Sequence, residues 1–296
     1  MKFTWDVALK ALIRLGSVLG LLTVASPVSA AELVDVKLVL ATDVSGSISN
    51  GELRLERGGT AAAFLAPDVI KAIESGALGR VAVAMVDFSS PGFGKTVVDW
   101  HIVHDRASAI AFAKAIIDTP RTLGNRTSIS NALELGAQLI ASSEKDIVAT
   151  RNVIDVAGDG PNNDGKPLQQ VREKVLAQGI VINGLPIMDE SSNGYFPGLD
   201  KYYQACVGGG RGAFVIVVRA FADFGPAMRR KLIMEISQNE SAIKQAEAES
   251  GASDLLRRVA TAQEKPAPSP TLLRPGRNEY SNECNISDNR SLSGNR

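Results

Sequence analysis

Short apolar runs alternate with amphipathic stretches along the middle of the chain. Residues 36–42 (VKLVLAT) and 81–88 (VAVAMVDF) are mostly apolar throughout, the pattern of strands covered on both faces. Residues 153–157, 180–187 and 214–218 have the same character. Residues 96–103 (TVVDWHIV) mix polar and apolar positions, which predicts an edge strand wetted on one face. Helical patterns lie between these runs. One covers residues 50–65, with Leu53, Ala61, Phe64 and Leu65 facing inward, and another covers 106–117. A third spans 128–141, with Ile129, Leu133 and Ile140 at helical spacing. A fourth is led by Pro167, tolerated in a first turn, and ends at Gly179; the last covers 221–236. This alternation predicts a doubly wound α/β fold with helices on both faces of a six-stranded sheet. The strands are expected to be mostly parallel in the order 3-2-1-4-5-6, with the third antiparallel at an edge.

The ends of the chain follow different rules. Lys2, Lys10 and Arg14 precede an apolar stretch from Leu15 to Ala25, Pro27 breaks it, and Val28-Ser29-Ala30 has the small-x-small form of a cleavage site. Residues 1–30 therefore read as a secretory signal peptide, with the mature chain beginning near Ala31 in the periplasm or outside the cell. The stretch is shorter than the ~20 residues that span a bilayer, so no integral span is expected after cleavage. The domain is expected over residues 31–237. Beyond Ser237, Glu, Ser, Ala, Gln, Pro and Asn dominate, with Pro266, Pro268 and Pro270 close together. Residues 238–296 read as a disordered tail, with a weak helix at most over 241–262.

Composition narrows the function. The 296 residues carry 32 Lys+Arg against 32 Asp+Glu, and no stretch is strongly basic, which argues against a nucleic-acid partner. The two cysteines, Cys206 and Cys284, are too few for a disulfide scaffold. With Cys284 in the tail, free thiols or a pair of little structural weight are expected.

Three segments carry candidate chemistry. Asp43-Val44-Ser45-Gly46-Ser47 directly follows the first strand; a carboxylate and two hydroxyls leave the strand together, and Gly46 permits a tight turn. Thr127 stands just before the helix that starts at Ser128. Asp159 stands just after the fourth strand, in Ala157-Gly158-Asp159-Gly160. With the expected strand order, all three open onto the crevice between the first and fourth strands, where ligands bind in open α/β sheets. Oxygen donors of this kind suit a hard cation such as Mg²⁺. The bland alternative is a strand-to-helix turn whose side chains only cap the next helix.

At these residues the chain resembles the von Willebrand factor A domain, whose metal-ion-dependent adhesion site reads Asp-x-Ser-x-Ser, then a distant Thr, then a later Asp. Asp43, Ser45, Ser47, Thr127 and Asp159 match it in order, and the likeness covers residues 34–237. The segments 152–163 (NVIDVAGDGPNN) and 202–207 (YYQACV) look like those of a bacterial family of exported A-like domains of unknown function. The resemblance implies a divalent cation, Mg²⁺ with Mn²⁺ or Ca²⁺ as substitutes, held by these five residues. An open coordination position would then accept an Asp or Glu carboxylate from a protein partner. A metal-dependent hydrolase using the same cation, and a structural A-like domain with a vestigial site, are the alternative readings.

Other polar residues receive structural readings. Asp155 is expected to face a neighbouring loop or a partner, and Asp87 to cap a helix or loop. Asn162, Asn163 and Asp164 lack the spacing of an EF-hand loop and are expected to shape a turn or the rim of the partner surface. His101 and His104, the only histidines, lie three apart on an expected edge strand and so cannot share a metal. Ser45 and Ser47 lack a Gly-x-Ser-x-Gly elbow and an evident histidine base. The run Gly208-Gly209-Gly210 has no following lysine and is not a phosphate loop.

Overall fold

The apolar runs pair into one sheet because each needs cover on both faces and hydrogen-bond partners on both edges. The computed structural model describes residues 30–122, 124–237, 271–273 and 284. Its strands are β1 (Glu32–Asp43), β2 (Val81–Phe88), β3 (Gly94–Val103), β4 (Ile147–Gly158), β5 (Val181–Pro186), β6 (Val215–Val217) and β7 (Thr271–Leu273). The helices are α1 (Asn50–Phe64), α2 (Pro67–Glu74), α3 (Arg106–Ile117), α4 (Ile129–Ser142), α5 (Leu168–Leu176), α6 (Leu199–Tyr202) and α7 (Phe224–Ile236). A π-helical turn, Tyr203–Val207, continues α6. The order across the sheet is β3-β2-β1-β4-β5-β6-β7. β1 runs parallel to both β2 and β4, and β3 is antiparallel to β2, as expected. The order therefore reverses between β1 and β4.

Two apolar layers hold the helices to the sheet. On one face Leu38, Leu40, Val83 and Met85 pack with Phe64, Phe112, Phe224 and Leu232 of α1, α3 and α7. On the other, Val39, Val86, Ile154 and Ile182 pack with Ile129, Leu133, Leu168 and Tyr203 from α4, α5 and the π-helical turn. Successive residues of one strand point to opposite layers, which is why β2 is buried at every position. The helix α2 was not expected from the pattern. Pro67 opens it, and Val69, Ile70 and Ile73 make its short buried face.

The tail departs from expectation. Thr271–Leu273 pairs antiparallel with β6 and adds a seventh strand to the six foreseen. Cys284 is buried and forms a disulfide with Cys206, so the expectation of free thiols is corrected. An oxidising compartment, as expected from the leader pattern, would permit such a bond, which the return of the chain to β6 makes possible. The expected signal peptide up to Ser29 and the weak helix over 241–262 lie outside the described residues. Among the described residues no helix is long and apolar enough to cross a membrane.

Asp155 faces neither a loop nor a partner. Its Oδ1 pairs with Lys231 Nζ of α7 at 2.5 Å, and Lys231 also pairs with Glu235 one turn on. Asn183 of β5 completes the cluster by donating to Glu235 Oε1 at 2.7 Å. All four side chains are buried, so α7 is fastened to the middle of the sheet by charge as well as by apolar packing.

Candidate metal centre

Each of the three segments leaves its element at the same end of the sheet. β1 and β4 run in register, Thr42 beside Ala157, so Asp43 and Asp159 emerge next to each other. The chain after β1 stays tied to β2 through the Val44 N–H, which donates to Phe88 O at 3.0 Å. It turns through the Ile48 N–H to Ser45 O, and Ser49 then starts α1 in a capping box with Glu52. The helix-cap duty thus falls to Ser49, which leaves the hydroxyls of Ser45 and Ser47 for other work.

The loop before Thr127 is laced onto the first. Gly124 N–H donates to Val44 O, and Gly46 N–H donates to Asn125 O, each at 3.0 Å. A Cβ on Gly46 would lie 3.3 Å from Asn125 O, so this close approach favours glycine. From the other side, Asn163 exchanges two hydrogen bonds with Thr127. Its Oδ1 accepts the Thr127 N–H and its own N–H donates to Thr127 O, both at 2.9 Å. Asn162 and Asn163 therefore shape the turn, as expected, and they do so by gripping the Thr127 segment.

All five candidate residues come together. Ser45 N–H donates to Asp43 Oδ1 at 2.8 Å, and the Ser45 and Ser47 hydroxyl oxygens are 3.1 Å apart. Ser47 Oγ donates to Asp159 Oδ1 at 2.8 Å, and Thr127 Oγ1 reaches Asp43 Oδ2 at 3.4 Å. Asp43, Ser45, Thr127 and Asp159 are buried, while Ser47 is half-exposed and marks the open side. Asp159 Oδ2 is buried without a hydrogen-bond partner. Burial first, and then the charge of Asp159, push the Asp43 carboxyl up to about 8. Burial also raises Asp159, to about 6. Two carboxylates crowded out of water in this way favour a proton or a cation between them.

Several residues that the sequence pattern did not single out surround the five. Glu56 and Arg57 sit on the inward face of α1 among Leu53, Thr60 and Phe64. Burial drives the Glu56 carboxyl well above its ordinary range, and the charges of Asp43, Asp87 and Asp159 add to it. Arg57 donates to Asp87 Oδ2 and to Thr119 O, both at 2.7 Å, and Thr122 Oγ1 also donates to Asp87. Asp87 is therefore the buried anchor of the segment leading to Thr127, and the cap expected of it is corrected to an ion pair. Glu56 and Arg57, three and four residues after Leu53 and so on the apolar face of α1, are the sequence signal that would have found that pair. Gly158 leaves a gap in which a Cβ would lie 3.0 Å from both Asp43 Oδ2 and the Tyr203 hydroxyl, itself buried without a partner. Gly194, after β5, lies over Asp159: a Cβ there would fall 1.8 Å from Asp159 Oδ2.

The donor set is two carboxylates and three hydroxyls, hard oxygens that fit Mg²⁺, Mn²⁺ or Ca²⁺ and suit soft metals poorly. Among the described residues no three His, Cys, Asp or Glu side chains are grouped to hold a metal, so the hydroxyls are essential to this fit. Both histidines lie at the far end of the sheet: His101 pairs with Val83 and Val103 with Val81, opposite the end where Asp43 pairs with Phe88. Neither reaches Ser45 or Ser47 as a base.

A family model described as "Protein of unknown function (DUF1194)" matches residues 33–240. The chain belongs to this family. The strand order and the antiparallel β3 give this DUF1194 domain a von Willebrand factor A-like fold. Comparison with curated proteins finds no match. Among solved structures, the DUF1194 chain is similar to proximal thread matrix protein 1 from the mussel byssus, described with a zinc-occupied MIDAS motif. That similarity is at 16% identity and TM-score 0.49, over 70% of this chain and 49% of that one. It is also similar to a von Willebrand factor type A structure from Catenulispora acidiphila, at 16% identity and TM-score 0.47, over 71% and 44% of the two chains. The pilus adhesin SpaC from Lactobacillus rhamnosus GG is similar at 15% identity and TM-score 0.47, over 70% and 31%. The chain spans less than half the length of each of these structures.

Proposed function

We propose that this DUF1194 domain is an exported, metal-ion-dependent binding module. Asp43, Ser45, Ser47, Thr127 and Asp159 would hold a divalent cation, Mg²⁺ or in its place Mn²⁺ or Ca²⁺. The cation would supply a coordination position open to an Asp or Glu carboxylate of a protein partner. The observation that carries this reading is the meeting of five oxygen-bearing side chains from three distant segments, with Asp159 Oδ2 left buried and unpartnered. A buried polar oxygen without a partner is unfavourable by about 1–3 kcal/mol, and a cation relieves that cost. Three of the five ligands are neutral, so the ion keeps enough positive charge to attract an outside carboxylate. Ser47, the half-exposed member, lies on the side from which that group would approach.

Titration of the purified chain with Mn²⁺ by calorimetry tests the reading. Saturable binding that disappears in Asp43→Ala, with the circular dichroism of the variant unchanged, is expected. Binding of the partner should then be reversed by EDTA, and lost in the same variant. No heat of binding at millimolar Mn²⁺ or Mg²⁺ would overturn the proposal. Mass spectrometry of the exported chain, with a new N-terminus at Ala31, checks the signal peptide.

A further inference from the structure

The segment 202–207, which the metal-binding reading leaves unused, connects the tail to the candidate site. The Tyr202 hydroxyl donates to Cys284 O at 3.0 Å and accepts the Asn162 N–H at 3.1 Å. Asn162 Oδ1 in turn accepts the Ser130 N–H at 2.9 Å, in the first turn of α4. Its neighbour Asn163 holds Thr127 on both sides of the peptide. Hydrogen bonds, joined by the peptide link between Asn162 and Asn163, thus lead from the tail carbonyl through one tyrosine oxygen to a candidate ligand. Tyr202, Asn162 and Cys284 are no more than 5% exposed, so water does not compete for these bonds. Cys284 is kept at Tyr202 by its disulfide to Cys206, four residues further along the same helical segment.

We infer that Tyr202 is a positioning residue for Thr127, and that the Cys206–Cys284 disulfide tunes the metal site by keeping Cys284 against Tyr202. This rests on the metal-binding reading above. With the disulfide intact, both hydrogen bonds of the Tyr202 oxygen are satisfied, and the asparagine turn holds Thr127 in place. A dithiol reductant undoes this by two exchanges. Its first thiolate attacks one protein sulfur and releases the other as a thiolate; its second then displaces the first protein sulfur from the mixed disulfide. The dithiol leaves as a disulfide, and two electrons and two protons pass to the protein, which gains two thiols. The covalent tie that keeps Cys284 O against the Tyr202 hydroxyl is then gone, which loosens the hold of Tyr202 on the Asn162 N–H and on the asparagine turn.

The test is Mn²⁺ binding to the full, oxidised chain, followed by calorimetry and by the electron paramagnetic resonance line shape of the bound ion. Tyr202→Phe keeps the disulfide and removes only the bridging hydroxyl; Cys284→Ser removes the covalent tie. Each is expected to weaken Mn²⁺ about 10-fold, the lower end for groups that orient metal ligands, and to broaden the resonance. Dithiol treatment of the wild type should reproduce the Cys284→Ser affinity. Should Cys284→Ser unfold the chain, Tyr202→Phe decides alone. Affinity within twofold of wild type and an unchanged line shape in Tyr202→Phe overturn the inference, even with a lowered melting temperature. Absence of Mn²⁺ binding to the oxidised wild type would sink the metal reading and this inference together.

Discussion

Ser47 Oγ donates to Asp159 Oδ1 at 2.8 Å across 112 residues of sequence. The bond joins the loop after β1 to the end of β4, the two strands between which the sheet order reverses. It is one of the bonds by which the five side chains hold one another. Hydroxyls donate to carboxylates, one carboxylate oxygen is left over, and the Asp159 charge adds to burial in raising the proton affinity of Asp43.

Removing one buried carboxylate should uncouple stability from metal. In Asp43→Asn the side chain keeps an oxygen to accept the Ser45 N–H, so the fold should survive. Its metal-free melting temperature at pH 8 is expected to equal or exceed that of wild type. Wild type should gain about 2.7 kcal/mol with Mn²⁺ at a hundred times its dissociation constant, and the variant nothing. Calorimetric melting with and without Mn²⁺ measures both, and an equal gain in the two proteins would refute the role of Asp43.

The raised carboxyls set the sign of the pH dependence. Asp43 titrates at about 8 and Asp159 at about 6 in the folded chain, against about 3.9 when unfolded. The folded state therefore binds more protons. Its contribution to stability is full below the unfolded value and is lost as pH rises through 6 and then 8. The metal-free melting temperature should fall over that window. Mn²⁺ competes with the same protons, so its affinity should rise over the window, with proton release measurable by calorimetry in buffers of different ionisation enthalpy. A flat affinity between pH 5.5 and 8 would count against both assignments.

Gly194→Ala probes the rim. The new methyl would meet Asp159 Oδ2 at 1.8 Å and Ser47 Cβ at 2.8 Å, so either the loop or the Asp159 side chain must move. Because Gly194 lies in a partly exposed loop, the stability loss should stay near about 1 kcal/mol, the low end for overpacking. Mn²⁺ affinity, in contrast, should fall several-fold. Unchanged affinity by titration would mean that the loop yields without disturbing the ligands.

Lys231→Met tests how α7 is held. The lysine is the cation that ion-pairs with both Asp155 and Glu235, whereas Arg151 donates only to the Glu235 main-chain oxygen, so its loss leaves two buried carboxyls without their paired charge. A loss of about 3–5 kcal/mol is expected in urea unfolding at pH 8, as for other broken buried pairs. Acid should lessen it, because burial together with the Glu235 charge raises the Asp155 carboxyl to about 7, and protonation removes the unpaired charge. A loss under about 1 kcal/mol would show that apolar packing alone fastens the helix.

The alternation of strands and helices, the antiparallel edge and the five candidate ligands were all legible in the chain itself. Burial on both faces leaves continuous apolar runs, burial on one helical face leaves a repeat near 3.6, and residues that follow parallel strands must emerge at one end of the sheet. What lay beyond reach depends on distance in space. A three-residue strand such as β7 has no period to read, and the partner of Cys206 is set by where the returning chain places Cys284. The roles of Glu56, Arg57 and Asp87, the turning of Asp155 to Lys231, and the bridge from Tyr202 to Asn162 likewise follow from packing. Each is a buried polar group whose partner comes from a distant segment or a neighbouring layer, and only the tertiary structure brings those partners within bonding range.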